Sequence, residues 1–312
     1  MKLKTINSII CRKFDAWLES IEDPVFKALA KDNTVCTGGA IASMLLNEDV
    51  NDFDLYFRDY ETTKAAAHYY VARFKANPPP KFREGHNVDI RVDEVEDREQ
   101  TGLKRIRVIV KSAGTASSEG DEGYAYFEGQ PDGEAASYIA SVLDNVEEGK
   151  KAKPEKPSYR PVFLSTNAIS LSDDVQIVVR FYGEPEQIHA NYDYVHVTNY
   201  WTSWQRRVTV NQAALLSLMN KDLRYVGSRY PLCSLFRMRK FIKRGWHITA
   251  GQVLKMAVNL QKYNLLDIAV LEEQLTGVDV AYFNDLISRL QDKSQDTKVD
   301  EAYLAELIDK LF

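Results

Sequence analysis

Gly38 and Gly39 stand between a run that reads as a buried strand, 34–36, and one that reads as an apolar helix, 40–46. A second strand reading, 53–57, follows, with Asp52 and Asp54 at its start. Paired glycines at a strand-to-helix junction allow a tight turn and let bare amides at a helix N-terminus come close to a ligand, and a phosphate chain fits there. Twelve residues lie between Gly39 and Asp52, enough for a short helix and a return to an adjacent strand. Two residues apart on a strand, Asp52 and Asp54 project from one face while Phe53 and Leu55 point to the core. Such carboxylates repel each other unless a divalent cation offsets them, and oxygen donors at this spacing suit Mg²⁺. The plainer alternative is the exposed polar side of a half-buried strand; the upstream glycines favour the functional reading.

Length and composition set the outer limits. A chain of 312 residues suggests about two domains, and 45% hydrophobic with 27% charged residues are ordinary globular values, which excludes collagen-like, disordered and coiled-coil chains. No apolar stretch approaches a membrane span, and the N-terminus reads as a helix, so a cytoplasmic protein with no membrane partner is expected. The net charge of −5 argues against nonspecific coating of nucleic acid. The charge is uneven, however. Residues 221–244 hold eight Lys or Arg against one acid, giving +7 there and −12 elsewhere, so one basic surface on an acidic protein is expected. Cys11, Cys36 and Cys233 are far apart with no CxxC pair, which reads as buried thiols and gives neither a zinc site nor a disulfide framework.

Periodicity predicts helices over 6–18, 25–30 and 62–75, the last stopped by Pro78, Pro79 and Pro80. Residues 88–92, 105–110 and 124–127 read as strands, and 112–123 and 147–157 as mobile loops. Strands follow at 162–165, 175–181 and 192–197. Beyond Trp204 the spacing is helical: 211–220, 232–243, 250–263, 266–275, 281–290 and 301–311.

The Gly38-Gly39 turn with the Asp52-x-Asp54 strand resembles the polymerase-β-like nucleotidyltransferase superfamily, and within it the head of CCA-adding enzymes and bacterial poly(A) polymerases. Met44-Leu45-Leu46 stands where that family has its apolar run. Downstream, Leu223-Arg224-Tyr225-Val226-Gly227, Arg229, Arg237, Lys240-Phe241 and Gly245-Trp246-His247-Ile248 resemble the pattern that follows the family's catalytic head. The likeness covers roughly 25–76 and 190–250 and leaves out 81–160. Ala42-Ser43 replaces the usual Arg-Asp, Tyr230-Pro231 stands where a Glu-Asp would fall, and Ser234 replaces an arginine, so the family's choice of CTP and then ATP is not carried over.

The resemblance implies an α+β nucleotidyltransferase head with a mixed β-sheet and flanking helices, followed by a helical C-terminal half. The head would span 1–204, with a poorly readable insertion at about 81–160, and the neck and body 205–312. Asp52 and Asp54 would hold two Mg²⁺ ions, with Asp193 as third ligand and proton acceptor. Gly38, Gly39, Arg237 and Lys240 would hold the nucleoside triphosphate. Lys221, Arg224, Arg229, Arg239, Lys243 and Arg244 would meet an RNA acceptor, tRNA being the family's usual one. Transfer to a protein or small molecule, and a catalytically silent binding module, are the alternatives. From its own sequence Asp193 reads as sharing a strand face with Val195 and Val197, where an acid needs a partner. His196 reads as a hydrogen-bonded core residue, and Tyr200, Trp201 and Trp204 as packing aromatics that could otherwise stack a base. On the helix 232–244, Leu232, Leu235, Phe236 and Ile242 are expected to face a core, and Arg237, Lys240 and Arg244 to form a separate stripe.

Overall fold

The computed structural model describes residues 1–77, 88–96, 104–112 and 158–267, together with positions 270, 271, 274 and 305. Two compact units emerge, one made of Met1–His189 with Val197–Asn211, the other of Ala190–His196 with Gln212–Phe312.

The first unit is built around a sheet whose central strands come from the N-terminal part of the chain. Helix α1 (Leu3–Glu19) buries Ile6, Ile10, Phe14 and Trp17, a helical stripe at spacings of four, four and three. Trp17 Nε1 donates to Tyr70 Oη at 2.7 Å, which satisfies both polar atoms inside the core. Asp23 caps α2 (Pro24–Asn33) by accepting from the Phe26 amide, and Pro24 sits at the first turn, where its missing N–H costs nothing. The chain then runs through β1 (Thr34–Thr37), α3 (Gly39–Leu46), β2 (Phe53–Phe57) and α4 (Tyr60–Ala76). Asp59 caps α4 through the Thr62 amide, and the helix ends two residues before Pro78.

A two-stranded antiparallel ribbon, β3 (Val88–Glu96) with β4 (Lys104–Ser112), stands beside the sheet. Then come β5 (Pro161–Leu164), β6 (Ala168–Leu171), β7 (Val175–Tyr182), a short helix α5 (Pro185–His189), β8 (Tyr200–Thr202) and β9 (Arg207–Thr209). Among the described residues seven strands form one sheet in the order β5-β6-β7-β2-β1-β8-β9. Only β2 and β7 run parallel, so the sheet is mixed. Its register aligns an apolar row across six strands, Ile169, Ile177, Leu55, Cys36, Trp201 and Val208, each buried. The fold class is thus α+β with a mixed sheet and flanking helices, followed by helices.

In the second unit α6 (Gln212–Asn220), α7 (Pro231–Lys243) and α8 (Ala250–Leu260) follow one another, and Val270, Leu271 and Gln274 are helical beyond them. The expected strand at 124–127, the helix at 281–290, all of 301–311 but position 305 and half of 266–275 lie outside the described residues, as do the expected loops at 147–157 and at 112–123, except Ser112, which ends β4. No helix among the described residues is long and apolar enough to cross a membrane. Cys36 and Cys233 are buried and Cys11 is half-buried.

Two sequence expectations need correction. Residues 192–197 form no strand: Tyr194 makes an isolated antiparallel bridge with Tyr225, and Val195–Val197 is a single 3-10 turn. Tyr194, Val195 and His196 are all buried in succession, which no alternating strand face allows. On α7 the buried residues are those of its first turn, Pro231 to Ser234, while Leu235 and Phe236 are half-buried and Ile242 is exposed.

Candidate active site

One residue along from the apolar row, the same register produces a polar row on the opposite face. Ser170 pairs with Gln176, Gln176 with Asp54, Thr37 with Tyr200, and Tyr200 with Thr209. Continuing the β1–β2 register by one residue sets Thr37 opposite Asp54. A period of two cannot place Leu55 and Phe53 in the core without turning Asp54 the other way, so the carboxylate is where the core pattern puts it. Asp52 immediately precedes the strand and Asp54 is half-buried on it. Burial first, and then the neighbouring Asp52 charge, push the Asp54 carboxyl well above the usual carboxylate range. No lysine or arginine among the described residues pairs with Asp54. An acidic pair of this kind fits a hard divalent cation, whose charge would reverse that shift.

Gly38 ends β1 and caps α3 with φ 102° and ψ −148°, a backbone region essentially closed to residues with a Cβ. Gly39 opens the helix, and a Cβ built there meets nothing within 4 Å. A side chain at position 39 would therefore stand in open space, and the strand pairing brings this end of β1 beside Asp54.

Thr37 and His189 extend the row. Thr37 Oγ1 lies 2.8 Å from His189 Nε2 and 3.0 Å from the Asn199 carbonyl oxygen, and the His189 ring lies 5.7 Å from that of Tyr200. Burial lowers the His189 pKa to about 4, so the ring is neutral near pH 7. Sequence reasoning passed over His189 because the five-residue helix that carries it has no periodic signal. Trp201 is fully buried, with its ring 5.0 Å from that of Phe14, whereas Tyr200 is half-buried in the polar row and Trp204 lies under the Arg58 guanidinium at 4.8 Å.

Asp193 belongs to the second unit. It is buried on a bend, and its neutralising partner is Arg237, whose Nη1 donates to Oδ2 at 2.6 Å. The Asp193 charge in turn raises the Arg237 pKa. Two residues assigned to different tasks, one to metal and one to triphosphate, are thus held to each other. Among the described residues no group of three or more His, Cys, Asp or Glu could hold a metal ion. On α7, Arg237, Arg239, Lys240 and Lys243 are exposed, as is the capping Arg244, which lies over the Phe241 ring at 5.6 Å. Lys221, Arg224 and Arg229 are half-buried, and Arg224 Nε reaches Asp222 at 3.4 Å.

His196 is buried as expected but not hydrogen-bonded: among the described residues neither ring nitrogen finds a partner, and the ring packs against Phe241 at 4.7 Å and Trp246 at 4.5 Å. Burial lowers its pKa to about 4, against a weaker opposing pull from Asp193 and with a small push from Arg244. Because the unfolded ring titrates near 6.5, its contribution to stability is intact above that pH and is lost as the pH falls to about 4. The loss is on the order of 3 kcal/mol at most. Denaturant unfolding at stepped pH should show this decline, and His196→Phe should flatten it. His189 should account for part of the slope that persists.

A comparison with curated proteins gives no match. Among solved structures, the Thermotoga maritima CCA-adding enzyme complexed with tRNA is matched with a TM-score of 0.36 and 10% identity, over 90% of this chain and 53% of that one. This chain spans about half the length of that enzyme. A family model described as "Gabija anti-defense 2 family protein" (Gad2) matches residues 8–221, more than half of the sequence and nearly all of the sheet-bearing unit, and the chain belongs to that family.

Proposed function

We propose that this protein transfers a nucleoside monophosphate from a nucleoside triphosphate to a hydroxyl acceptor and releases pyrophosphate. One observation carries the reading: the Gly38-Gly39 turn, with open space at Gly39, adjoins the Asp52–Asp54 pair at the start of β2. In the reaction the acceptor oxygen bonds to the α-phosphorus, the bond to the pyrophosphate oxygen breaks, and the hydroxyl proton passes to a base or to solvent. Asp52 and Asp54 would hold Mg²⁺. When bound, the cation supplies charge that favours the acceptor alkoxide and the leaving oxygen. Gly38 keeps the backbone of the turn open to phosphate oxygens, and the first amides of α3 face negative charge there. The head, 1–204, would carry the chemistry, and the helical remainder, 205–312, would hold the acceptor.

The acceptor we favour is an RNA 3′ hydroxyl, with tRNA as one candidate. The exposed cations of α7 support this, since Arg239, Lys240 and Lys243 make no ion pair among the described residues. RNA affinity should then fall with salt at a log-log slope of roughly −0.7 per phosphate contacted. Charge reversal at Arg239 and Lys243 should weaken RNA binding and flatten that slope while NTP binding persists. Family membership favours a second reading, in which the acceptor belongs to the defence system that the family's name says is countered, and is a protein. Incubation with each labelled NTP, Mg²⁺ and either total RNA or purified defence protein decides between them by where the label goes. Absence of label in every acceptor would leave a silent binding module.

A further inference from the structure

We propose that the third oxygen donor of the cation site is neutral, the side-chain amide of Gln176. The inference rests on the reading of Asp52 and Asp54 given above and deepens it.

The strand register places Gln176. Strands β2 and β7 are parallel, with Phe53 beside Val175, Asp54 beside Gln176 and Leu55 beside Ile177. Both flanking pairs are buried, Phe53 with Val175 and Leu55 with Ile177, so the middle pair must share the other face. Gln176 and Asp54 are accordingly half-buried neighbours across about 5 Å of sheet. On its far side Gln176 is tied down, since its Nε2 donates to Ser170 Oγ on β6 at 3.4 Å, and Ser170 is its register partner there. With the nitrogen branch of the amide engaged toward β6, the Oε1 branch is left for the β2 side.

An amide is also the donor that this row tolerates. Asp54 already sits two residues from Asp52, and a third carboxylate at 176 would add a further negative charge to the row. A carbonyl oxygen is a hard donor without that charge. A site of two carboxylates and one amide holds a free cation weakly. It should fill mainly when the cation arrives on a triphosphate, whose oxygens supply the remaining coordination.

Mn²⁺ titration of the full-length protein, followed by electron paramagnetic resonance without nucleotide, tests this directly. Gln176→Glu keeps the shape and adds a charge, and should tighten Mn²⁺ binding on the order of tenfold. Gln176→Leu removes the donor oxygen and should weaken binding several-fold, and adding a non-hydrolysable NTP should tighten binding to the wild type. Thermal melts establish that each variant is folded. If the double variant Asp52→Asn, Asp54→Asn abolishes binding but neither Gln176 variant changes it, Gln176 is no ligand and the inference fails while the reading of the aspartates survives. If Mn²⁺ binds the wild type and the double aspartate variant alike, both fall together.

Discussion

Replacing both Asp52 and Asp54 by asparagine should reduce nucleotidyl transfer by about a thousandfold or more, because the cation that the pair holds is asked to supply several kcal/mol of transition-state stabilisation. Circular dichroism of the double variant should match the wild type, since neither side chain belongs to the core. Its melting temperature without divalent metal should rise by a few degrees, as the repulsion felt at Asp54 disappears. Mg²⁺ should raise the melting temperature of the wild type and leave the variant unchanged. Transfer that persists in the variant would end the catalytic assignment, and a variant that loses both transfer and fold would leave the Mg²⁺ shift in the wild type as the deciding measurement.

The two glycines should separate cleanly when each is changed to alanine. At φ 102° and ψ −148°, Gly38→Ala forces a side chain into a backbone region closed to it, at about 1–3 kcal/mol of stability, and distorts the turn that leads into α3. Gly39→Ala meets no neighbour within 4 Å and gains helix propensity, so it should be neutral or stabilising by up to about 1 kcal/mol. Its methyl group nevertheless takes up open space at the turn proposed to cradle phosphate, and NTP affinity should fall on the order of tenfold or more. A variant more stable than the wild type but poorer at binding NTP is what a substrate-facing glycine yields. Unaltered NTP binding in Gly39→Ala would mean that the open space is not where the phosphates lie.

Much of the first unit is legible from the sequence because each signal there is local. Residues 53–57 alternate, and the stripe from Ile6 to Trp17 has one period. What escapes is short or long-range. β6, β8 and β9 have three or four residues each, too few to display alternation, and β9 lies beyond Trp204, where the spacing looked helical. Asp193 was placed on a strand because aromatic and β-branched residues cluster at 192–197. That composition in fact serves a buried turn, whose Tyr194 hydroxyl donates to the Ser234 carbonyl oxygen at 2.7 Å and whose Asp193 is satisfied by an arginine 44 residues later. Asp52 and Asp54 can be read from spacing alone. That Gln176 stands beside Asp54 depends on a register between strands more than 110 residues apart, which no window of sequence contains.

The strand order also governs when this protein can become itself during synthesis. β1 and β2 lie in the middle of the sheet, yet their outer neighbours, β7 and β8, are translated more than 110 residues later. Until residue 182 has left the ribosome β2 carries an unpaired backbone edge, and until residue 202 has left so does β1, each open to any extended chain nearby. Closing loops of that length before any pairing compensates the lost entropy makes the sheet slow to form. The N-terminal helix is committed to the same wait: the Asn7 side chain accepts from the Val208 amide on β9, and Asp15 holds Arg206 with two hydrogen bonds. Chains cut anywhere between β2 and β8 should therefore be retained by holding chaperones or aggregate, and two halves expressed separately should recover the sheet only if they are made together.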